Sequence, residues 1–147
     1  MDDRILLLEN QLCFPLYAAA KEVLSRYKPL LDEIGLTYTQ YIVMMVLWEE
    51  KALSVSHLGD RLHLDSGTLT PLLKRLAEKG LIHRERSPKD ERQVLITLTQ
   101  AAETLKERAI EVPQKISRCI NLEHEEAITL YRLLYKVLTP NECDKHD

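Results

Sequence analysis

The spacing of the apolar residues changes from helical to alternating and back again along this chain. Up to Gly80 the apolar side chains recur three and four residues apart, which is typical of amphipathic helices. Alternation begins in "LIHRER" and continues in "RQVLITLT", and the turn-rich "SPKDE" between these segments predicts a β-hairpin. Helical spacing resumes near residue 100. One hairpin among helices predicts a mainly α fold of the α+β type.

The helices on the N-terminal side have recognisable ends. We predict a first helix over about 12–33, which Gly35 terminates, and a second over about 38–50. Thr37 and Gln40 stand at the spacing of a capping box at the start of the second helix. The middle of this helix, "YIVMMVLW", is apolar on nearly all sides and should be deeply buried.

Two shorter helices follow, one after Ser54 and one between an N-cap at Asp65 and a terminating Gly80. The leucines of the latter helix cluster on one face: Leu69, Leu72, Leu73 and Leu76. At 100° per residue, the opposite face carries Gly67, Thr70, Pro71, Lys74 and Glu78. Beyond the hairpin, we expect a helix over about 100–118 that Pro113 interrupts, and a last helix from an N-cap at Asn121 to just before Pro140.

This order of elements predicts a winged helix-turn-helix over about 53–99 within a single domain, 1–147. Long helical segments flank it, over about 6–34 and 100–139. The apolar faces of these outer helices lack partners within one chain, so we expect them to be dimerisation helices of a homodimer.

The charge distribution favours a nucleic-acid partner, although the net charge is −3. Segment 74–92 carries seven basic and four acidic side chains, a local charge of +3, which leaves −6 on the rest. The basic residues are Lys74, Arg75, Lys79, Arg84, Arg86, Lys89 and Arg92. A basic segment on an acidic body is the pattern expected of a phosphate-binding surface.

The second helix of a helix-turn-helix enters the major groove of DNA, and its N-terminal residues reach base edges. The candidate DNA-binding residues of this helix are Ser66, Gly67, Thr68, Thr70, Pro71, Lys74 and Arg75. Those of the hairpin are Arg84, Arg86, Lys89, Asp90 and Arg92. We expect an arginine of the hairpin in the minor groove, with the Asp90 carboxylate holding the Arg92 guanidinium. The alternative is an ordinary surface helix followed by a solvated turn.

The segment "LDSGTLTPLLKRLAEKGLIHRERSPKDERQVLITLT" closely resembles the recognition helix and wing of the MarR family of bacterial repressors, including its Asp-x-Arg wing motif at Asp90 and Arg92. Together, "NQLCF" and "LTYTQY" resemble the organic-hydroperoxide-resistance repressors of this family. The resemblance covers nearly the whole chain and is weakest at the first few residues and beyond about residue 110.

The resemblance implies an obligate homodimer on double-stranded operator DNA, with a peroxide-reactive cysteine at Cys13. It also implies that Tyr27 and Tyr38 of the other subunit reach this cysteine. The implied output is a repressor that releases its operator when an organic hydroperoxide oxidises Cys13. Some relatives then form an intersubunit disulfide, for which Cys119 is the candidate resolving thiol, and others form a mixed disulfide with a low-molecular-weight thiol.

The residues around Cys13 are consistent with such a sensor. Because a proline is tolerated only in the first turn of a helix, Pro15 predicts that the helix begins close to Cys13, near unpaired backbone N–H groups. That position favours the peroxide-reactive thiolate. The single Phe and four of the six Tyr residues fall between positions 14 and 41, namely Phe14, Tyr17, Tyr27, Tyr38 and Tyr41. The alternative is that Cys13 is a small apolar packing residue and the tyrosines belong to the core or an interface.

Other function classes receive less support. An odd number of cysteines without a CxxC pair argues against a disulfide framework and a zinc site, and the five histidines are scattered, so we expect no metal and no cofactor. We expect no membrane association and a cytoplasmic location, because no apolar run reaches the length of a membrane span and no signal peptide is recognisable. Cys143, in the polar tail, is expected to be exposed and incidental.

Two alternatives to a redox-sensing repressor stay open. One is a repressor that releases DNA on reversible binding of a small aromatic ligand, with Cys13 inert. The other is a thiol peroxidase. Against an enzyme stands the lack of an Arg or Thr near Cys13 that could polarise a peroxide, so we expect no enzymatic activity.

Overall fold

The computed structural model describes residues 2–141, which comprise seven α-helices and three strands. Their bounds, in chain order, are α1 Cys13–Asp32, α2 Tyr38–Glu50, β1 Ala52–Ser54, α3 Val55–Leu62, α4 Ser66–Glu78, β2 Ile82–Arg86, β3 Val94–Leu98, α5 Gln100–Ala109, α6 Glu111–Ser117 and α7 His124–Leu138. Two short 3-10 turns, Asp3–Leu6 and Leu8–Asn10, precede α1. The chain divides into two compact units, 1–117 and 118–147. The predicted fold class is confirmed by the winged helix-turn-helix of α3, α4 and the β2–β3 hairpin.

The sheet contains one strand more than the sequence predicted. Its order is β1-β3-β2, and both pairs are antiparallel. Ile96 at the centre of β3 is fully buried and lies opposite Leu53 on one side and Arg84 on the other. Strand β1 escaped prediction because its three residues are too few to show an alternation.

Helix α2 occupies the middle of the core of the first unit. Its side chains are buried almost all round, and Val43, Met44 and Leu47 have no exposed surface. The indole Nε1 of Trp48 donates to the Ala102 carbonyl at 3.0 Å, which ties α2 to α5. The predicted burial of this helix is confirmed, and so is the capping box of Thr37 and Gln40.

Two helix boundaries on the C-terminal side differ from prediction. The break expected at Pro113 falls at Ile110, between α5 and α6, because a proline cannot donate to the carbonyl four residues earlier, that of Ala109. The predicted N-cap at Asn121 is wrong, since α7 is capped at Glu123. There the Glu126 carboxylate accepts the backbone N–H of Glu123 at 2.9 Å.

Both ends of the described chain expose large apolar side chains. Ile5, Leu6 and Leu12 are 72%, 81% and 82% exposed, respectively. Helix α7 buries no side chain within the chain and exposes Ile128, Leu130, Tyr131, Leu133, Tyr135, Val137 and Leu138. None of the helices between residues 2 and 141 has the length and apolar composition that a membrane span requires.

The turn between α3 and α4 depends on a glycine with no room for a side chain. A Cβ on Gly59 would lie 2.7 Å from the Leu64 carbonyl oxygen and 3.2 Å from Leu69 Cδ1. The Leu64 backbone cannot easily retreat, because its N–H donates to the Gly59 carbonyl at 3.0 Å.

We therefore expect Gly59→Ala to lower the free energy of unfolding by about 1–3 kcal/mol, the usual cost of overpacking. Asp60→Ala, at the exposed next position of α3, is the matched control and should change it by less than about 0.5 kcal/mol. Denaturant unfolding at one protein concentration measures both variants. Equal unfolding midpoints would contradict the steric argument.

Candidate DNA-binding surface and cysteine site

The N-terminus of α4 is held by a single side-chain cap. Asp65 Oδ1 accepts the backbone N–H of Thr68 at 2.7 Å, as the sequence predicted. A Cβ on Gly67 would lie 3.2 Å from this same oxygen, so the glycine also leaves room for the cap. The Thr70 hydroxyl donates to the Ser66 carbonyl at 2.8 Å, one residue before Pro71, which has no N–H to donate.

The two faces of α4 have separate roles. The predicted leucine face is confirmed, since Leu69, Leu72, Leu73 and Leu76 are buried. The seven candidate DNA-binding residues on this helix are all exposed: Ser66, Gly67, Thr68, Thr70, Pro71, Lys74 and Arg75. Burial of one face therefore fixes which residues α4 presents to solvent.

The wing is a tight loop between β2 and β3. The N–H of Ser87 donates to the Gln93 carbonyl at 2.8 Å and closes the loop. Asp90 Oδ1 accepts the backbone N–H of Arg92 at 3.0 Å, so the expected carboxylate–guanidinium pair is replaced by a cap of the turn. The Arg92 side chain thereby stays exposed, as do Arg84, Arg86, Lys89 and Asp90.

A groove of about 440 Å³ runs between the wing and α4. Of the predicted residues, the structure brings Thr70, Arg84, Arg86 and Arg92 to its walls, whereas Lys74, Arg75, Lys89 and Asp90 do not line it. Ser54, the N-cap of α3, and Ser56 in its first turn also line the groove and were missed. The cap at Ser54, whose Oγ accepts the N–H of His57 at 3.1 Å, was the sequence signal that could have found them.

Cys13 is the first residue of α1 and is exposed, which confirms the helix start predicted from Pro15. The N-cap is Leu12, which has no side-chain oxygen to accept the N–H groups of the first turn. Phe14 and Pro15 line an open apolar depression of about 600 Å³ together with the 3-10 turns before α1. Cys13 itself lies at the helix N-terminus, next in sequence to the residues that line this depression.

Three tyrosines cluster where α1 meets α2. The ring centroids of Tyr27 and Tyr38 lie 4.9 Å apart in an edge-on arrangement, and Tyr41 lies 6.0 and 6.4 Å from them. Burial, followed by the neighbouring phenols of Tyr38 and Tyr41, raises the pKa of Tyr27 to about 12. Burial also raises the pKa values of Tyr38 and Tyr41. All three phenols are therefore protonated donors at neutral pH.

One chain does not bring Cys13 to these tyrosines. Cys13 and Tyr27 are fourteen residues apart on α1, which corresponds to about 21 Å along the helix axis. Cys119 is exposed and belongs to the second compact unit. Cys143 lies outside the described residues. Residues 2–141 contain no cluster of His, Cys, Asp and Glu side chains that could hold a metal ion.

The structure combines a recognition helix with one buried face, a basic wing, and a groove between them. This combination defines a DNA-binding transcriptional regulator of the winged-helix class. The family model "Transcriptional regulator SarA/Rot" matches residues 25–109. The chain is 49% identical over 131 residues to the organic hydroperoxide resistance transcriptional regulator of Bacillus subtilis (strain 168), covering 89% of each sequence. It belongs to the MarR family of transcriptional regulators, in the branch of the organic-hydroperoxide-resistance repressors.

Solved structures agree with this assignment. Reduced AbfR bound to DNA is 38% identical, covers 94% of this chain and 96% of that one, and has a TM-score of 0.78. AbfR, from Staphylococcus epidermidis, is also known in a disulfide form, which is 36% identical over 95% of this chain and 98% of that one, with a TM-score of 0.67. A MarR mutant from E. coli complexed with operator DNA is 29% identical over 86% and 96% of the chains, with a TM-score of 0.70.

The tyrosine cluster predicts an unusual alkaline titration. A pKa of about 12 for Tyr27 means that the folded chain keeps a proton that the unfolded chain loses near pH 10. The titration of Tyr27 therefore leaves the free energy of unfolding unaffected below about pH 10 and lowers it as the pH rises from there to about 12. Phenolate absorbance should show late titration whose amplitude falls in Tyr27→Phe and is unchanged in Tyr17→Phe, at an exposed site. Tyr38 and Tyr41, whose pKa values are also raised, still titrate late in Tyr27→Phe, so an unchanged amplitude near pH 12 in that variant would contradict the assignment.

Proposed function

We propose that this protein is a repressor that binds operator DNA as a homodimer and releases it when an organic hydroperoxide oxidises Cys13. The observation that carries the proposal is an exposed thiol at the first residue of α1, in the same chain as an exposed recognition helix and wing. The name of the Bacillus subtilis relative and the reduced and disulfide forms of AbfR support it.

The proposed dimer covers the apolar surface that a single chain leaves exposed. The segment before α1 and helix α7 carry most of these side chains. Large exposed apolar side chains in such number are typical of an obligate interface. A partner subunit would also supply the tyrosines that Cys13 cannot meet within its own chain.

On DNA, each α4 enters a major groove of a pseudo-palindromic operator and each wing reaches the adjacent minor groove. The hydroxyls and Pro71 at the exposed face of α4 contact base edges, and Lys74 and Arg75 contact bases or phosphates. Arg84, Arg86 and Arg92 bind phosphates or the minor groove, where the negative potential is strongest. Lys89 and Asp90 shape the tip of the wing.

We expect Arg92→Ala to weaken operator binding at least tenfold and to lower the slope of log K against log salt by about 2, because each of the two subunits loses one phosphate-neutralising charge. Lys106→Ala removes one charge from α5, away from the wing, and should leave both quantities unchanged. Fluorescence anisotropy over a salt series measures them. Equal slopes for Arg92→Ala and the unmutated protein would argue against contact by the wing.

The proposed signal is a two-electron oxidation of one sulfur. The Cys13 thiolate attacks the terminal peroxide oxygen, the O–O bond breaks, and the hydroperoxide leaves as the alcohol after taking up a proton, while the sulfur becomes a sulfenic acid. A second thiol then condenses with the sulfenic acid, forming a disulfide and releasing water. That thiol is either Cys119 of the partner subunit or a low-molecular-weight thiol. The bulkier sulfur no longer fits beside Tyr27 and Tyr38, and the dimer shifts out of register with its operator.

Cys13→Ser should abolish the response, because serine has no sulfur to oxidise. We expect organic hydroperoxide to release operator from the unmutated protein and to leave the Cys13→Ser complex intact in an electrophoretic mobility assay. Cys143→Ser is the matched control and should respond normally. Release that persists in Cys13→Ser would reject this sensor and favour a reversible small-ligand pocket.

Intact-mass measurement identifies the partner of the oxidised sulfur. With a small thiol present, a mixed disulfide adds the mass of that thiol to one subunit, whereas an intersubunit disulfide links two subunits. Cys119→Ser should leave the first product unchanged and eliminate the second. Continuous turnover of hydroperoxide with a thiol donor would instead indicate a peroxidase.

A further inference from the structure

One lysine of the basic segment is exposed, yet its ammonium hydrogen-bonds to other parts of the first unit. Lys79 follows the last residue of α4, and its Nζ donates to the Gly35 carbonyl, in the turn between α1 and α2. The same ammonium donates to Gln40 Oε1 at 3.1 Å. These acceptors lie 44 and 39 residues away in sequence, so the contact joins distant parts of the chain.

The acceptor oxygen belongs to a buried side chain and has two donors. Gln40 is only 4% exposed. Its Oε1 accepts the backbone N–H of Thr37 at 3.1 Å in addition to Lys79, and its own backbone N–H donates to Thr37 Oγ1 at 3.3 Å. An amide oxygen has two lone pairs, so one serves the cap of α2 and the other the ammonium. Loss of the Lys79 bond leaves Oε1 with only the Thr37 N–H as its donor and removes the hydrogen bond that joins Gln40 to the end of α4.

The two ends of this connection have different functions. Lys79 is the C-cap residue of α4, and its own N–H donates to the Arg75 carbonyl at 3.0 Å. Gln40 lies in the first turn of α2, between Tyr38 and Tyr41. Hydrogen bonds through the capping box therefore run from the turn that carries Tyr38 to the end of the recognition helix.

We propose that Lys79 is a positioning residue that couples the tyrosine cluster to the orientation of α4. A shift of the Tyr38 ring moves the first turn of α2 and the Gln40 amide with it. Movement of Oε1 by about 0.5 Å away from Nζ is enough to lose the bond, because hydrogen bonds weaken beyond about 3.5 Å. The end of α4 then either moves with the first turn of α2 or loses its hydrogen bond to Gln40. As a means of operator release, this coupling rests on the redox function proposed above.

The test compares operator affinity before and after oxidation by tert-butyl hydroperoxide. Lys79→Met keeps the length of the side chain and removes its donor, so the ratio of oxidised to reduced Kd should fall about tenfold, as expected for lost hydrogen bonds to a charged group. Lys79→Arg still has donors for both oxygens and should restore most of the ratio. Lys106→Met, which removes a charge from α5, should leave the ratio unchanged.

Two results would overturn the proposal. The ratio of oxidised to reduced Kd for Lys79→Met could equal that of the unmutated protein, which would mean that Lys79 has a structural role only. Alternatively, the reduced-state affinity could fall with an unchanged ratio and a lower salt slope, which would make Lys79 a phosphate contact. If peroxide fails to release operator from the unmutated protein, it is the redox function that fails.

A double-mutant cycle tests the coupling without peroxide. Operator affinities of reduced Tyr38→Ala, Lys79→Met and the double variant should be non-additive by at least threefold if the two residues act through one connection. Tyr38→Leu serves as a milder second variant, and unfolding midpoints verify that each protein is folded at the assay temperature. Additive effects for both tyrosine variants would overturn the proposal whatever the outcome with peroxide.

Discussion

The burial of α2 on almost all its sides is the interaction on which the rest of the structure depends. Met44 and Leu47 have no contact with solvent, and α1, α3, α4 and the sheet pack around this helix. Because close packing on most of its surface joins α2 to these neighbours, a movement of α2 displaces the elements packed against it. The tyrosines at one end of α2 and the recognition helix beside it thus share a single support.

The same packing separates the protein's chemistry into distinct surfaces. Helix α4 gives its leucines to the core, so its hydroxyls and basic side chains face outwards beside the arginines of the wing. The thiol of Cys13 lies at the far end of α1, about 21 Å along the axis from Tyr27. The candidate DNA-binding residues of α4 and the wing lie together within one chain, whereas the proposed sensor requires two chains.

Much of the fold was predictable, because local rules agreed with the tertiary structure. The capping box at Thr37, the cap at Asp65 and the glycine at position 80 marked helix ends correctly, since each supplies a hydrogen bond or a backbone conformation that the helix itself needs. Prediction failed where the sequence pattern gave little indication of the structure. Strand β1 is too short to alternate, and Glu123 rather than Asn121 caps α7 because Glu126 can reach back to it.

The sequence by itself determined the element types, the leucine face of α4, the basic wing and the position of Cys13 at a helix start, because periodicity, caps and proline act within a few residues. Only the tertiary structure decided which basic residues share a groove with Thr70 and which one, Lys79, turns away to Gly35 and Gln40. A lysine looks the same in sequence whether it meets phosphate or a buried amide. Its partner is chosen by how α4 packs against α2, and that depends on contacts some forty residues apart in the chain.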